Sequence, residues 1–202
     1  MPPTAGVREL RAVIGRRDAL EVMRTQEKNR LQVARDSVRV TIEQHLTYLD
    51  KSITEMDRAI RQKIDDDPDL KKQYRLLDSV PGLGKKTIPL LLSHYGGSAR
   101  FDCAKQAVAF AGLYPRQHES GSSVRGKTRI SKVGHTSIRR AVYTPAVVAM
   151  TRTKWGKAFA KHLGDNHKPP MVIISALMSK LVQIAYGVLK SKKPFDPKLH
   201  GA

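Results

Sequence analysis

Apolar residues along this 202-residue chain recur mostly at three- and four-residue steps, the spacing of one helix face. The longest run extends from about Thr25 to Ile64. There Val38, Ile42, His45, Leu49, Ile53, Met56 and Ile60 form a heptad-like seam on an otherwise polar helix, uninterrupted by Pro or Gly. A weaker helical segment, Val7 to Met23, precedes it. A seam this long requires a partner helix. The partner is either the first segment, in an antiparallel hairpin, or a second chain, in a dimerisation arm; the residues leave both open, with a role in assembly preferred. His45 in the seam reads as a core-edge residue rather than a ligand.

Asp65, Asp66, Asp67, Pro68 and Asp69 punctuate the pattern. Clustered carboxylates can bind a metal. A turn that stops one helix at Pro and caps the next with Asp is the cheaper reading. Helix resumes over Leu70 to Leu77. After SVPGLGKKT comes the apolar Ile88 to Leu92, and after a turn at Gly96 and Gly97 a packed helix is predicted within Ser98 to Gly112. Further helices are predicted over Ile138 to Thr151, with Pro145 as a kink, Trp155 to His162, and Met171 to Leu189. The last is the most apolar, yet Lys180 and Gln183 suit a buried helix better than a membrane span. The one possible strand pair is a short hairpin at Ser122 to Ser131. The tail from Lys190 is basic, Pro-containing and predicted to be loose. The predicted fold class is mainly α: a long helical coiled-coil hairpin over 1–70, a compact helical domain over 71–190 and a basic tail over 191–202.

Charge changes the picture. Residues 1–100 hold 19 basic and 14 acidic side chains, a net of +5; residues 101–202 hold 18 basic and 4 acidic, a net of +14. A field of that size captures polyanions. The single Cys103 excludes a disulfide framework and a Cys-rich zinc site, and no apolar leader opens the chain. These features predict a cytoplasmic, nucleoid-associated protein without a membrane partner.

The densest chemistry lies between Arg116 and Arg140, with seven Lys or Arg, one acid, three Gly and five Ser. Ser120, Ser122 and Ser123 sit in this field, and Gly121 permits close approach of a phosphate backbone. Beside several cations, a phosphate attacked by a Ser hydroxyl is neutralised and its transition state stabilised. Most such Ser residues only donate hydrogen bonds, so composition alone leaves binding and nucleophilic attack open. The run ESGSS is not the GxSxG elbow of a hydrolase. His162, Asp165 and His167 lack metal-ligand spacing, and no spaced carboxylates on strands suggest a two-metal nuclease. Upstream, Gly82 and Gly84 flank Leu83 ahead of Lys85 and Lys86. A glycine hairpin at a helix start presents unsatisfied amides to a phosphate; a tight interhelical turn is the plain alternative. A nucleotide P-loop needs four residues before its Gly-Lys pair, and only Leu83 stands there.

Two runs, LDSVPGLGKKTIPLLL and AVAFAGLYPRQHESGSSVRGKTRISKVGHTSIRRAVYTPA, closely resemble the C-terminal region of the insertion-sequence one-ten (one-sixteen, nine-oh-two) family of transposases. The order of a helix-hairpin-helix, a GLxP turn, an SG pair, a basic loop with ISKxG and an Arg-containing helix is specific. RRDALEVMRTQEKNRLQ resembles that family's connecting coiled coil. The resemblance implies Ser120 as a nucleophile that forms a covalent phosphoserine link to DNA. It implies Gly82, Gly84, Lys85, Lys86, Arg116, Gly121, Arg125, Lys127, Arg129, Lys132, Arg139 and Arg140 as nucleic-acid contacts. It also implies a RuvC-like domain with four metal-binding acids ahead of residue 1. The chain is therefore expected to be a C-terminal region with no cofactor of its own, magnesium belonging to that other domain. The expected partners are DNA, a guide (bridge) RNA, and further copies of the chain or longer transposase subunits. The alternative is a non-catalytic nucleic-acid-binding remnant or regulator.

Overall fold

The long polar helix is one arm of a helix pair. A computed structural model describes residues 3–96, 101–120 and 124–200, with side chains outside 117–128 and 200. The chain divides into two compact units, Pro2–Lys71 and Lys72–Ala202.

In the first unit α1 (Ala5–Gln32) and α2 (Asp36–Asp66) run antiparallel. Polar pairs cross between them in a single register: Lys63 with Glu9 at 3.8 Å, Arg17 with Asp57 at 3.1 Å, Arg24 with Asp50 at 3.0 Å and His45 with Glu27 at 3.4 Å. Arg17 is buried, and its guanidinium also reaches Asp18 and Glu21. Leu20, Leu49 and Ile53 pack between the helices with Met56 beside them. Each such buried aliphatic side chain contributes about 1.5–3 kcal/mol. The seam is thus closed by α1 over Leu49, Ile53 and Ile60. Its first member, Val38, is 47% exposed and Ile42 only partly covered. The helix break also differs from expectation. It falls at residues 33–35, not near residue 24, because main-chain bonds from Val33 to Arg30 (3.2 Å) and from Ala34 to Leu31 (3.3 Å) close α1 without Gly or Pro. The acidic punctuation is a cap: Asp67 Oδ1 accepts from the amides of Asp69 (2.9 Å) and Leu70 (3.1 Å) at the start of α3 (Pro68–Asp78).

The second unit is built on α4 (Thr87–Tyr95), every residue of which is buried. The Tyr95 hydroxyl donates to the Ala107 carbonyl of α5 (Ala104–Phe110) at 3.0 Å, and the Thr87 hydroxyl to the Ala141 carbonyl of α6 (Thr136–Arg152) at 3.3 Å. Helix α7 (Lys154–Asp165) follows a tight corner. Thr153 Oγ1 donates to Ala149 O at 2.8 Å and accepts from the Gly156 amide at 3.1 Å. A Cβ at Gly156 would overlap the Ala149 carbonyl, so glycine permits the corner. Helix α8 (Pro170–Ser191) packs against α5, α6 and α7 and buries Leu177, Leu181 and Ala185 completely. By length and composition it is apolar enough to cross a membrane; here it is a core helix.

The helix predicted within Ser98 to Gly112 is present as Ala104–Phe110 among the described residues. Two sequence expectations are corrected. The strand pair is longer than Ser122 to Ser131 and begins earlier: β1 (Pro115–Ser120) pairs antiparallel with β2 (Val124–Ile130). Pro115 opens an edge strand, where its missing donor costs nothing. The tail is anchored rather than loose. The Phe195 amide donates to Ser79 Oγ at 2.9 Å, the Phe195 ring lies 6.3 Å from that of Trp155, and Pro197–His200 forms a 3-10 turn.

Candidate nucleic-acid interface

The residues between α3 and α4 turn tightly through Val80–Pro81–Gly82–Leu83–Gly84. Val80 and Leu83 are buried, and the Leu83 amide bonds the Val80 carbonyl at 3.1 Å. The two glycines have different reasons to be there. Gly82 has φ +104, and a Cβ on it would come 3.2 Å from the Pro145 carbonyl of α6. It is glycine because the backbone bends left-handed against a helix. Gly84 has an ordinary φ and nothing within 4 Å of a built Cβ. Its carbonyl accepts from the amides of Thr87 (2.9 Å) and Ile88 (3.0 Å), starting α4. The amides of Gly84 and Lys85 take no acceptor among the described residues, and the side chains of Lys85 and Lys86 are exposed. The turn therefore offers open amide donors and cations at the start of a helix, an arrangement that attracts an anion.

The second cationic element is the β1–β2 hairpin. Its register pairs Pro115 with Ile130, Arg116 with Arg129, His118 with Gly126, Glu119 with Arg125 and Ser120 with Val124. The register slips between Arg116 and His118, so Lys127 and Thr128 on β2 oppose Gln117 alone, a bulge of the kind that re-aims strands beside functional sites. Ser120 is the last residue of β1. Gly121, Ser122 and Ser123 lie outside the described residues. At the foot of the hairpin the strands merge with the GLYP turn. Ser131 N donates to Tyr114 O at 2.8 Å, Lys132 N to Gly112 O at 3.1 Å and His135 N to Phe110 O at 3.0 Å. Gly112 at φ +69 and Gly134 at φ +139 make this junction, and a Cβ on Gly134 would meet the Phe110 carbonyl at 2.5 Å.

Arg139 belongs to the junction as well. Its Nη1 donates to the Ala111 carbonyl at 2.9 Å and its Nη2 to Thr136 Oγ1 at 3.0 Å, so its guanidinium is engaged within the chain. Arg116, Arg129, Lys132 and Arg140 are exposed and have no carboxylate partner among the described residues. The ion pairs described above all lie within Pro2–Lys71, where acids are plentiful. Arg116 directly opposite Arg129 is a like-charge cross-strand pair, which costs stability unless an anion lies between.

Helix α6 connects the two elements. Its N-terminus follows the hairpin, and its Pro145–Ala149 turns carry Gly82. At 1.5 Å per residue the two cationic elements lie roughly 15 Å apart along it. Of the sequence-predicted residues, the structure gathers Gly84, Lys85 and Lys86 at one end, and Arg116, Arg129, Lys132 and Arg140 at the other. Sequence reasoning missed Tyr114, which is 56% exposed beside Arg116. An aromatic residue inside a basic segment was the available signal.

Residues 74–161, which contain both elements and α6, match the domain of the transposase IS116/IS110/IS902 family. The chain belongs to this family. Across the family, the pilin gene-inverting protein of Moraxella bovis is 33% identical over 193 residues, covering 95% of this chain and 60% of the relative. The corresponding protein of Moraxella lacunata matches to the same extent. The transposase for insertion sequence element IS1328 of Yersinia enterocolitica is 31% identical over 154 residues, 73% of this chain and 43% of that protein. The chain thus spans about 60% of the length of the pilin gene-inverting proteins it matches.

Proposed function

We propose that this chain works in DNA transposition or recombination: its Lys72–Ala202 unit holds a DNA strand, and Ser120 attacks a phosphodiester. The observation that carries the reading is the pair of opposed arginines, Arg116 and Arg129, without an acidic partner among the described side chains, at the foot of the strand that ends on Ser120. A hairpin held against its own charge repulsion is poised for an anion. The similarity to transposases and to the pilin gene-inverting proteins supports DNA as that anion.

In the proposed step the Ser120 Oγ forms a bond to phosphorus as its proton leaves to a base. The P–O bond to one deoxyribose breaks, and the released alkoxide takes up a proton. The phosphodiester is conserved as a phosphoserine link, so the reverse attack by another strand's hydroxyl rejoins DNA. Arg125 and Lys127 neutralise the attacked phosphate, with Gly121 allowing close approach, while Arg116, Arg129 and Lys132 hold neighbouring phosphates of the strand. The turn at Gly82, Gly84, Lys85 and Lys86 holds the strand at a second phosphate, and Arg140 adds charge between.

Among the described residues no three His, Cys, Asp or Glu side chains form a metal cradle. In this reading magnesium belongs to the longer family member's own acids. Proposed partners are DNA, a guide RNA and further transposase subunits, in the cytoplasm. Exposed Val33, Val38, Val40 and Tyr48 on the helix pair support a role for that pair in assembly.

The test is a nicked suicide DNA substrate mixed with the chain, an intact longer family member and magnesium, then denatured in SDS. An adduct on this chain that disappears in Ser120→Ala is expected. Binding with no adduct under these conditions would sink the nucleophile and leave the non-catalytic regulator.

A further inference from the structure

The foot of the β1–β2 hairpin has a face that the phosphate chemistry does not use up. Arg116 and Arg129 pair directly across the ribbon, and the Ser131 amide bond to the Tyr114 carbonyl at 2.8 Å carries the same register one pair beyond the strands, two residues along from Arg116. The intervening pair, Pro115 and Ile130, faces the other way. Tyr114, Arg116 and Arg129 are all exposed, as is Pro115, while Ile130 and Ser131 are partly covered. The Tyr114 ring has no aromatic neighbour and its hydroxyl no hydrogen bond among the described residues. Tyr95 and Tyr186, by contrast, both donate to carbonyls. Tyr114 is held from behind, because its carbonyl accepts from Ser131 and the Leu113 carbonyl next to it accepts from Ser179 Oγ at 3.2 Å. An aromatic ring with no described partner thus stands on an anchored backbone two residues from Arg116, about 7 Å at the rise of an extended chain, the scale of one nucleotide.

We propose that this face is a subsite for a single unpaired nucleotide: Tyr114 stacks on its base while Arg116 and Arg129 hold its phosphate. The inference rests on the nucleic-acid reading above and adds a substrate class to it. Arginines grip the phosphate of duplex and single strand alike. A ring can stack only on a base whose face is free, and duplex bases hide theirs against one another. The subsite therefore selects a melted or single-stranded position next to the Ser120 strand. Stacking is sequence-tolerant and does not read the sugar, so DNA and RNA strands share the chemistry.

The test uses the full chain with three fluorescein-labelled probes: a single-stranded oligodeoxynucleotide, the matching oligoribonucleotide and a closed DNA hairpin duplex. Affinities come from anisotropy at moderate salt. The single strands also carry one 2-aminopurine, whose emission stacking quenches. Tyr114→Ala should lower the ratio of single-strand to duplex affinity about tenfold and relieve the quenching, while Tyr114→Phe keeps both near wild type. The nucleic acid whose ratio falls further is the strand the subsite serves. An unchanged ratio in Tyr114→Ala, or a Phe variant as weak as the Ala variant, overturns the subsite. If binding still falls in Arg116→Ala and Arg129→Ala, the nucleic-acid reading survives that result. Wild-type protein that binds none of the probes overturns both.

Discussion

Glycine shows how single positions divide between folding and binding in this chain. Gly82, Gly112 and Gly134 all have positive φ and close backbone neighbours. Gly84 has neither, so the fold does not require it. Gly134→Ala should destabilise the Lys72–Ala202 unit by about 2 kcal/mol or more, since a left-handed backbone and a clash with the Phe110 carbonyl add; urea unfolding measures it. Gly84→Ala should leave the unfolding midpoint nearly unchanged and weaken nucleic-acid binding severalfold by crowding the open amides. Equal losses of stability in the two variants would reduce the turn to a structural corner. Arg139 repeats the lesson in reverse. Its place in the basic segment suggests a phosphate contact, but its guanidinium holds the Ala111 carbonyl and the Thr136 hydroxyl.

At the scale of elements, the two hairpins follow opposite electrostatic rules. In the helix pair, cations sit beside carboxylates along the whole crossing, and buried Arg17 reaches three of them. Arg17→Ala should cost about 1–3 kcal/mol, discounted because its acidic partners are substantially exposed. Leu49→Ala, which empties the apolar centre, should cost about 2–5 kcal/mol; thermal unfolding of both variants ranks them. At the foot of the strand pair two cations, Arg116 and Arg129, face each other. Arg129→Glu should therefore strengthen the hairpin by about 0.2–1 kcal/mol, read as slower amide exchange over Pro115–Ile130. The same substitution should lower nucleic-acid affinity. A gain in local stability coupled to a loss of binding separates a site held under repulsion from ordinary surface charge.

For the molecule as a whole, the uneven charge predicts how binding responds to salt. The +14 carried by residues 101–202 has few acids to offset it. Each phosphate neutralised on duplex DNA contributes roughly −0.9 to the log–log slope of affinity against salt. Arg116→Ala and Arg129→Ala should each make the slope shallower by about one, as should Lys85→Ala, whereas Arg139→Ala should change it little. Titrations at several salt concentrations give these slopes directly. A slope insensitive to all four substitutions would place the phosphate contacts elsewhere.

Helical spacing was legible in the sequence because a helix repeats its apolar face locally, and the charge asymmetry, the Ser/Gly segment and the family resemblance needed only the order of residues. Element ends were less legible. The break at residues 33–35 is closed by main-chain bonds that no residue type announces, and the strand pair grows from Pro115 because the GLYP turn is matched by residues 131–135 across the chain. Tertiary structure alone decided which glycine is structural, which arginine is engaged and which stand opposed across the strand pair. It also set Tyr114, bonded through its carbonyl to Ser131, just beyond the opposed Arg116 and Arg129. Those facts depend on strand register and on packing against α6, which arise between segments distant in sequence and leave no periodic trace within either.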